Sequence, residues 1–270
     1  MCQIFVCTED RPTLETMRDA EHLNSDGAGV AWEESGGIRW EKGLDMDGVH
    51  DLLFKQEISL PYVVHFRSAS QGGKDMLLTH PFPLNATAHT ALSGKEKKGV
   101  LFHNGTWGMW DDKMLQYALS HPGLIPDGPW SDSRALAFLI ANKGPAILKF
   151  MTWGQGRIAI FKPKNESGRR INLHGDWTKK EGWFHSAPLV SATKGRTWHG
   201  GGRCEVIDLR QHGGQGKLVM PAVTEEEEVD STHFTTLELQ EVLFPLRKAL
   251  KGQVEVGSDL ISTLWSGVMN

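Results

Sequence analysis

The sequence predicts an α+β protein built on packed antiparallel sheets. Through about the first 190 residues, short apolar stretches typical of strands alternate with stretches that have helical spacing. Glycine-rich turns such as Ser35-Gly36-Gly37 are typical of tight hairpins, which join antiparallel strands. With 270 residues, of which 39% are hydrophobic, the chain can bury the core that such sheets need. Runs of strands with helices between and outside them favour the α+β class.

Strands are predicted wherever apolar and β-branched residues cluster between turn residues. We expect the pairing of 27–32 with 38–43, and of 88–93 with 100–103 across the charged turn 94–98. The full set of predicted strands is 3–7, 27–32, 38–43, 62–66, 88–93, 100–103, 157–161, 171–173 and 183–186.

Helices are predicted where apolar residues recur at helical spacing. Pro12 suits a first helical position, and Ser131 is a predicted cap. A long loop, 67–83, separates two of the strands, and loops of this length in a compact domain are often functional. The predicted helices are 12–20, 46–56, 111–120 and 133–142.

The character of the chain changes at about residue 195, where we place a boundary. Residues 2–195 carry the alternating strands and helices and form one predicted domain. Residues 196–270 are predicted to be a glycine-rich and acidic linker followed by a C-terminal helical tail. Their features are glycine-rich stretches at 200–202 and 213–216, an acidic run at 225–228 and a predicted helix at 236–251.

Composition excludes several classes of function. The formal net charge of −4 provides no global basic field, so no nucleic-acid partner is expected. The cysteines Cys2, Cys7 and Cys204 are too few for a disulfide scaffold and contain no CxxC pair, and the 12 histidines are scattered. We therefore expect no metal. The glycine-rich stretch at 211–218 lacks the Walker pattern, and no cofactor is expected.

The chain carries no recognisable targeting or membrane signal. Its first residues lack the basic region that precedes the apolar part of a signal peptide. The longest apolar run, 135–141, is far too short to span a bilayer. We therefore expect a cytoplasmic protein without a membrane partner.

Cys2 is the residue for which the sequence predicts the most specific chemical role. An initiator Met is generally removed when residue 2 is small, and its removal here would give Cys2 both a thiol and a free α-amine. An α-amine has a pKa of roughly 7.7–8.0, so it can take the thiol proton and later donate a proton to a leaving amine. Taken alone, Cys2 favours a simpler interpretation, a buried strand cysteine without a role.

Polar segments at the ends of predicted strands and helices favour a functional role for Cys2 over the simpler interpretation. They are, in order, Asn24-Ser25-Asp26-Gly27, Val64-His65-Phe66-Arg67-Ser68-Ala69-Ser70, Thr79-His80-Pro81-Phe82, Leu101-Phe102-His103-Asn104-Gly105-Thr106 and Ser131-Asp132-Ser133. In this order, after a cysteine at position 2, the chain resembles the class II glutamine amidotransferases, a branch of the N-terminal nucleophile hydrolases. The resemblance covers about residues 2–190.

The resemblance implies a four-layer αββα sandwich, in which two antiparallel sheets pack face to face with helices outside. It also implies hydrolysis of the glutamine side-chain amide to glutamate and ammonia. Cys2 would be the nucleophile and, through its amine, the base. The Asn104 side chain and the Gly105 amide would form the oxyanion hole, where such donors contribute ~3–4 kcal/mol each.

The resemblance also implies a site for the zwitterionic head group of glutamine. Arg67 would bind the α-carboxylate with its guanidinium fork, and Asp132 would pair with the α-ammonium. Ser70 and His80 complete the predicted substrate-binding residues. In the best-known members the residues after the arginine read Trp-Ala-Thr-His-Gly, whereas this chain has Ser-Ala-Ser-Gln-Gly at 68–72.

Three functions stay open from the sequence. The leading one is a glutamine amidotransferase subunit that supplies ammonia to a separate synthase, because residues 200–270 are too few for synthase chemistry. The second is an N-terminal-cysteine amide hydrolase that acts on another substrate and needs no head-group residues. The third is a non-catalytic protein that keeps the fold, which retention of Met1 would favour.

Overall fold

The computed structural model of the protein describes residues 2–150, 156–164 and 170–187. The predicted linker and helical tail, 196–270, lie outside the described residues. The strands are β1 (Gln3–Cys7), β2 (Ala28–Glu34), β3 (Gly37–Leu44), β4 (Tyr62–Phe66), β5 (Phe82–Pro83), β6 (Ser93–Glu96), β7 (Val100–Asn104), β8 (Arg157–Phe161), β9 (Ile171–His174), β10 (Thr178–Lys180) and β11 (Trp183–His185). The helices are α1 (Leu14–Leu23), α2 (Met46–His50), α3 (Trp110–Ser120) and α4 (Asp132–Lys143), with a π-helical turn at Asp51–Lys55 and 3-10 turns at Met76–Leu78 and Pro145–Phe150.

Within the described residues, these strands form two antiparallel sheets. The seven-stranded sheet has the order β10-β11-β1-β4-β2-β3-β6, and the four-stranded sheet has the order β5-β7-β8-β9. In the larger sheet β1 pairs with β4, and Gln3 lies opposite Phe66. Because the strands are antiparallel, the start of β1 and the end of β4 meet at one edge of the sandwich.

Apolar clusters define four layers, helix, sheet, sheet and helix. One cluster lies between the two sheets and contains Ile4, Val6, Trp40, Val63, Val100, Phe102, Phe161 and Leu173. A second joins the outer face of the larger sheet to α1 and α2, and contains Phe5, Val64, Phe66, Met17 and Val49. A third joins the smaller sheet to α3 and α4, and contains Leu101, Ile160, Met114 and Leu136. The predicted α+β fold, an αββα sandwich, is confirmed.

Side-chain caps explain where three helices begin. The Thr13 hydroxyl accepts from the Thr16 N–H at the start of α1, and the Asp45 carboxylate accepts from an N–H in α2. At α4 the Ser131 hydroxyl accepts from the Arg134 N–H at 3.2 Å. Such caps satisfy N–H groups that the first helical turn leaves without a backbone partner. The cap predicted at Ser131 is confirmed.

The predicted hairpin of 88–93 with 100–103 is wrong. Residues 93–96 form β6, which pairs with β3 in the larger sheet, whereas β7 pairs with β5 and β8 in the smaller one. Burial gives the physical reason. All five residues of β7 are buried, as in a strand between two layers, whereas the polar β6 is partly exposed at a sheet edge.

Smaller differences lie at short or irregular elements. The predicted helix 46–56 begins as α2 but continues as a π-helical turn at Asp51–Lys55. Strands β5 and β10 have only two and three residues, and the sequence analysis did not predict them. The predicted strands 3–7, 62–66 and 157–161 match the observed bounds.

Candidate active site

Cys2 lies directly beside the end of β4. Since Gln3 is opposite Phe66, the residues just outside this pair, Cys2 and Arg67, are brought together. The Ser68 N–H donates to the Cys2 sulfur at 3.4 Å, and the thiol lies 3.4 Å from the Ser68 carbonyl oxygen. Cys2 as a whole residue is partly exposed, and it lies at the edge of the sandwich where β1 begins and β4 ends.

The surroundings of the Cys2 thiol keep it protonated. Burial raises the pKa of this thiol, and the Asp132 charge raises it further. The Ser68 N–H and the Arg67 charge act in the opposite direction but do not reverse the shift. The thiolate is the nucleophilic form of cysteine, so chemistry at Cys2 requires a base that takes its proton.

Arg67 is an almost fully buried cation, with 4% of its surface exposed. Its guanidinium donates to the Gln71 carbonyl at 3.1 Å and, more weakly, to the Asp75 carbonyl at 3.5 Å. Both acceptors belong to the loop 68–79, which follows β4. A guanidinium has five N–H donors, so these two bonds leave donors for a carboxylate.

Asn104 ends β7 and is tied to the start of β1 through Ser186. The Asn104 side-chain N–H donates to the Ser186 hydroxyl at 2.8 Å, and the Ile4 N–H donates to the same oxygen at 2.9 Å. Asn104 is completely buried. Ser186 therefore links the Asn104 amide to Ile4, which lies two residues after Cys2 in the chain. The partly buried Gly105 follows Asn104.

Asp132 is the first residue of α4 and is also almost fully buried, with 4% of its surface exposed. Its Oδ2 accepts from the Trp107 N–H at 2.9 Å, and its Oδ1 accepts from the Ser133 N–H at 2.8 Å. The Ser133 hydroxyl lies 3.3 Å from the same Oδ1. These bonds connect the beginning of α4 to the turn that follows β7.

A buried histidine supports this connection. His103 Nδ1 lies 3.0 Å from the Ser133 hydroxyl and 3.9 Å from Asp132 Oδ2. Burial lowers the pKa of His103, and the Asp132 charge only partly offsets this. Near neutral pH the ring is therefore a neutral hydrogen-bonding group rather than a second charge beside Asp132.

The two other predicted substrate-binding residues differ in their surroundings. The Ser70 hydroxyl lies 3.1 Å from the Thr106 hydroxyl, so it links the loop 68–79 to the turn after β7. His80 is buried, and its ring centroid lies 4.0 Å from that of His65. Neither ring nitrogen of His80 has a hydrogen-bond partner within the part of the chain that the structure describes.

The loop 68–79 is fastened at several points besides Arg67. The Ala69 N–H donates to the Asp26 carboxylate at 2.9 Å, and Lys74 forms an ion pair with that carboxylate at 2.9 Å. These bonds lower the pKa of Asp26. Gly72 has a φ of +74°, and a Cβ there would lie 2.7 Å from the Trp130 carbonyl oxygen. Only glycine fits this approach to the start of α4.

The structure thus brings together most of the predicted site. Cys2 and Arg67 are neighbours, the charges of Arg67 and Asp132 both act on the Cys2 thiol, and Asn104 is linked to β1. The sequence analysis missed Ser186, which it assigned only to the end of a strand. A single serine gives no signal of its own, because its role depends on a pairing with residues far away in the chain.

The described residues contain neither a metal-binding cluster nor a helix suited to a membrane. Among residues 2–150, 156–164 and 170–187, no group of three or more His, Cys, Asp or Glu side chains could hold a metal ion. None of the helices in the same ranges combines the length and apolar character needed to cross a membrane.

Comparison with known proteins finds likeness in solved structures alone. No protein-family model matches the chain, and no curated protein matches it. A B. subtilis glutamine phosphoribosylpyrophosphate amidotransferase, complexed with ADP and GMP, is similar at 12% identity with a TM-score of 0.45. A structure of the allosteric regulatory enzyme of purine biosynthesis is similar at 14% identity with a TM-score of 0.42. Each match covers 68% of this chain but only 41% of the other, so this chain spans less than half of those longer proteins.

Proposed function

We propose that this chain is a glutaminase subunit of the class II amidotransferase type. It would hydrolyse the side-chain amide of glutamine to glutamate and ammonia, with Cys2 as the nucleophile. The observation that carries the proposal is that Arg67 lies beside Cys2 and that the charges of Arg67 and Asp132 both act on its thiol. Asn104 is tied to the start of β1 through Ser186. A thiol, a buried guanidinium, a buried carboxylate and a buried amide are contributed by Cys2, Arg67, Asp132 and Asn104.

The first chemical step needs a base, because burial raises the pKa of the Cys2 thiol. In this proposal Met1 is removed, and the α-amine of Cys2 takes the thiol proton. The sulfur then attacks the side-chain carbonyl carbon of glutamine, a C–S bond forms, and the carbonyl oxygen becomes an oxyanion.

The Asn104 side chain and the Gly105 N–H are the proposed donors to this oxyanion. One Asn104 N–H bonds Ser186, so a second remains for the substrate. Donors that are fixed before the reaction stabilise the transition state without reorganisation. The hydrogen bond from Asn104 to Ser186 therefore supports a role for this amide.

The head group of glutamine carries one negative and one positive charge. We assign the carboxylate to Arg67, whose fork matches its geometry, and the ammonium to Asp132. A carboxylate offers about four lone-pair positions, and the bonds from Trp107 and Ser133 leave capacity at Asp132.

The later steps return the enzyme to its starting form. The protonated α-amine gives its proton to the leaving nitrogen, the C–N bond breaks, and ammonia leaves a γ-glutamyl thioester on Cys2. Water then attacks the thioester, and the amine takes a proton from it. The C–S bond breaks to release glutamate, and the amine returns its proton to the departing sulfur, which restores the thiol. We propose that the ammonia passes to a separate synthase.

A glutaminase assay on the full chain tests the proposal. Cys2→Ala removes the nucleophile, and we expect it to lower glutamate release from L-glutamine at least ~1,000-fold. Cys204→Ala, a thiol deletion in the region 196–270, is the matched control and should keep the activity. Intact-mass measurement should show that Met1 is absent.

Two results would contradict the proposed function. One is equal glutamate release by the unmodified protein and Cys2→Ala. The other is labelling by a glutamine-like diazo-ketone at Cys7 or Cys204 instead of Cys2.

A further inference from the structure

Lys42 is a buried lysine on β3, with only 3% of its surface exposed. Its ammonium donates to the Leu77 carbonyl at 3.0 Å and lies 4.4 Å from the centroid of the Phe82 ring. Lysine is almost never this buried unless it is paired, and here no ion pair is formed within the described residues. The Lys42 ammonium is therefore held by a loop carbonyl and an aromatic ring and not by a carboxylate of the described residues.

The backbone packs closely around Lys42. Gly29 of β2 lies opposite it in the sheet. A Cβ at Gly29 would lie 2.9 Å from the Lys42 Cβ and 1.8 Å from the His80 carbonyl oxygen. The residues before β5 therefore close directly over this part of the hairpin, and Lys42 is enclosed beneath them.

Lys42 and Arg67 hold the same loop, 68–79, from two sides. Lys42 binds the Leu77 carbonyl, while Arg67 binds the carbonyls of Gln71 and Asp75. Asp75 also accepts from the Leu77 N–H at 2.8 Å, so the two cations act on one connected turn. The turn at 75–77 therefore connects the Arg67 guanidinium to the Lys42 ammonium.

The groups that face Lys42 favour the loss of its proton. Burial, together with the Arg134 and Arg67 charges and against the opposing charge of Asp75, lowers the pKa of Lys42 to about 7. The neighbouring His80 and His89 also have lowered pKa values and are neutral near pH 7. Lys42 is therefore the group in this surrounding that changes charge near neutrality.

We propose that Lys42 is a positioning residue that couples carboxylate binding at Arg67 to proton uptake. Because the Arg67 charge acts on Lys42, a carboxylate that neutralises Arg67 makes the protonated form of Lys42 more favourable. Linkage is reciprocal, so the proton at Lys42 strengthens carboxylate binding by the same factor. This inference rests on the proposed function, in which the carboxylate belongs to glutamine.

The sign of the expected pH dependence follows from this coupling. Below about pH 7 Lys42 already carries its proton, so binding takes up none. Above that value the free protein has lost the proton, and binding must restore it. Affinity for L-glutamine should therefore fall as pH rises, by about fivefold or more between about pH 6.5 and about pH 8.5.

Calorimetry in buffers of different ionisation enthalpy measures the uptake directly. The titration of L-glutamine is made in a Cys2→Ala background, which prevents turnover. We expect proton uptake above about pH 7 in this protein and none in Lys42→Arg, whose guanidinium keeps its proton. Lys95→Met, at an ion-paired lysine of the neighbouring strand β6, is the control and should leave the uptake unchanged. Equal uptake with and without Lys42→Arg overturns the coupling.

Hydrogen exchange separates this inference from the proposed function, because it requires no ligand. The amides of Leu77, Leu78 and Thr79 are bonded within the turn that Lys42 holds. After correction for intrinsic rates, their protection should fall as pH rises through about 7 in the unmodified chain. In Lys42→Met it should be low at every pH.

The two measurements give distinct failures. If L-glutamine does not bind but protection titrates, the proposed substrate is wrong and the hold of Lys42 on the loop stands. If L-glutamine binds without Lys42-dependent proton uptake, the glutaminase proposal survives and the role of Lys42 is refuted. Protection that is independent of pH refutes that role as well.

Discussion

Arg67 and Asp132 are equally buried, yet the protein supports the two charges in different ways. Asp132 lies at the first turn of α4 and accepts from the N–H groups of Trp107 and Ser133 at 2.9 and 2.8 Å. Arg67 instead donates to carbonyls of the loop 68–79, one at 3.1 Å and one at 3.5 Å. The anionic side of the candidate site is part of the fold, whereas the cationic side depends on a loop.

This difference separates stability from affinity. Removal of Asp132 leaves buried N–H donors without partners, so the whole sandwich is affected. Changes at Arg67 remove two longer bonds to a loop that other contacts also hold, so they should act mainly on substrate binding. Variants on each side in turn test whether stability and affinity separate in this way.

The largest expected effect is a loss of stability in Asp132→Ala. Each buried donor left without a partner costs ~1–3 kcal/mol, and the helix start also loses a favourable charge. The variant leaves Trp107 and Ser133 in this state. We expect the free energy of unfolding to fall by ~2–5 kcal/mol, measured by urea denaturation.

Asp47→Ala provides the matched control for this loss. Asp47 is also an acidic residue in the first turn of a helix, α2, but it is exposed. Its removal should change stability by ~0.5 kcal/mol or less. Similar losses in the two variants would mean that the helix charge, and not the buried network, is what matters at Asp132.

A smaller effect, confined to binding, is expected for Arg67→Lys. Lysine keeps the positive charge but loses the fork that bonds a carboxylate at two points. Loss of one charge-assisted hydrogen bond is worth ~1.5–3 kcal/mol, which corresponds to a rise of ~10–100-fold in the KM for glutamine. The kcat should change much less, and steady-state kinetics at saturating and limiting glutamine separates the two.

Arg39→Lys controls for the exchange itself, because Arg39 is only partly buried on β3. It should leave both constants unchanged. If Arg67→Lys also keeps the KM, no carboxylate is bound at Arg67, and an amide hydrolase with another substrate becomes the better description.

Much of this arrangement could be predicted from the sequence, because strands that are buried on both sides have a distinctive pattern. β1, β4 and β7 are entirely buried, and their apolar runs mark their ends. The candidate residues Cys2, Arg67 and Asn104 stand at those ends. Their positions in the chain therefore follow from where each run begins or stops.

Residues whose roles depend on distant pairing could not be found in that way. Ser186 matters because two elements converge on its hydroxyl. Lys42 offers a weak signal in hindsight, since it alternates with the buried Ile38 and Trp40 on one face of β3. A lysine at the end of a strand is usually exposed, and only the loop above it reveals that Lys42 is buried.

The smallest expected effect tests how closely the loop 68–79 must pack. Gly72 and Gly73 both have positive φ, +74° and +70°, so alanine at either position is strained by ~1–2 kcal/mol. A Cβ at Gly72 would also lie 2.5 Å from a Leu78 methyl group and 2.7 Å from the Trp130 carbonyl oxygen, whereas a Cβ at Gly73 meets nothing within 4 Å. We expect Gly72→Ala to be less stable than Gly73→Ala by about 1 kcal/mol.

Because the two substitutions share their backbone strain, their difference reports the close packing at Gly72, against Leu78 of the loop and against the Trp130 carbonyl before α4. That packing joins the cationic and anionic sides of the site, so Gly72→Ala should also raise the KM for glutamine more than Gly73→Ala does. Equal KM values together with unequal stabilities would show that the loop can shift away from α4 without moving Arg67. In that case the bonds from Arg67 to Gln71 and Asp75, and not the packing at Gly72, would position the guanidinium.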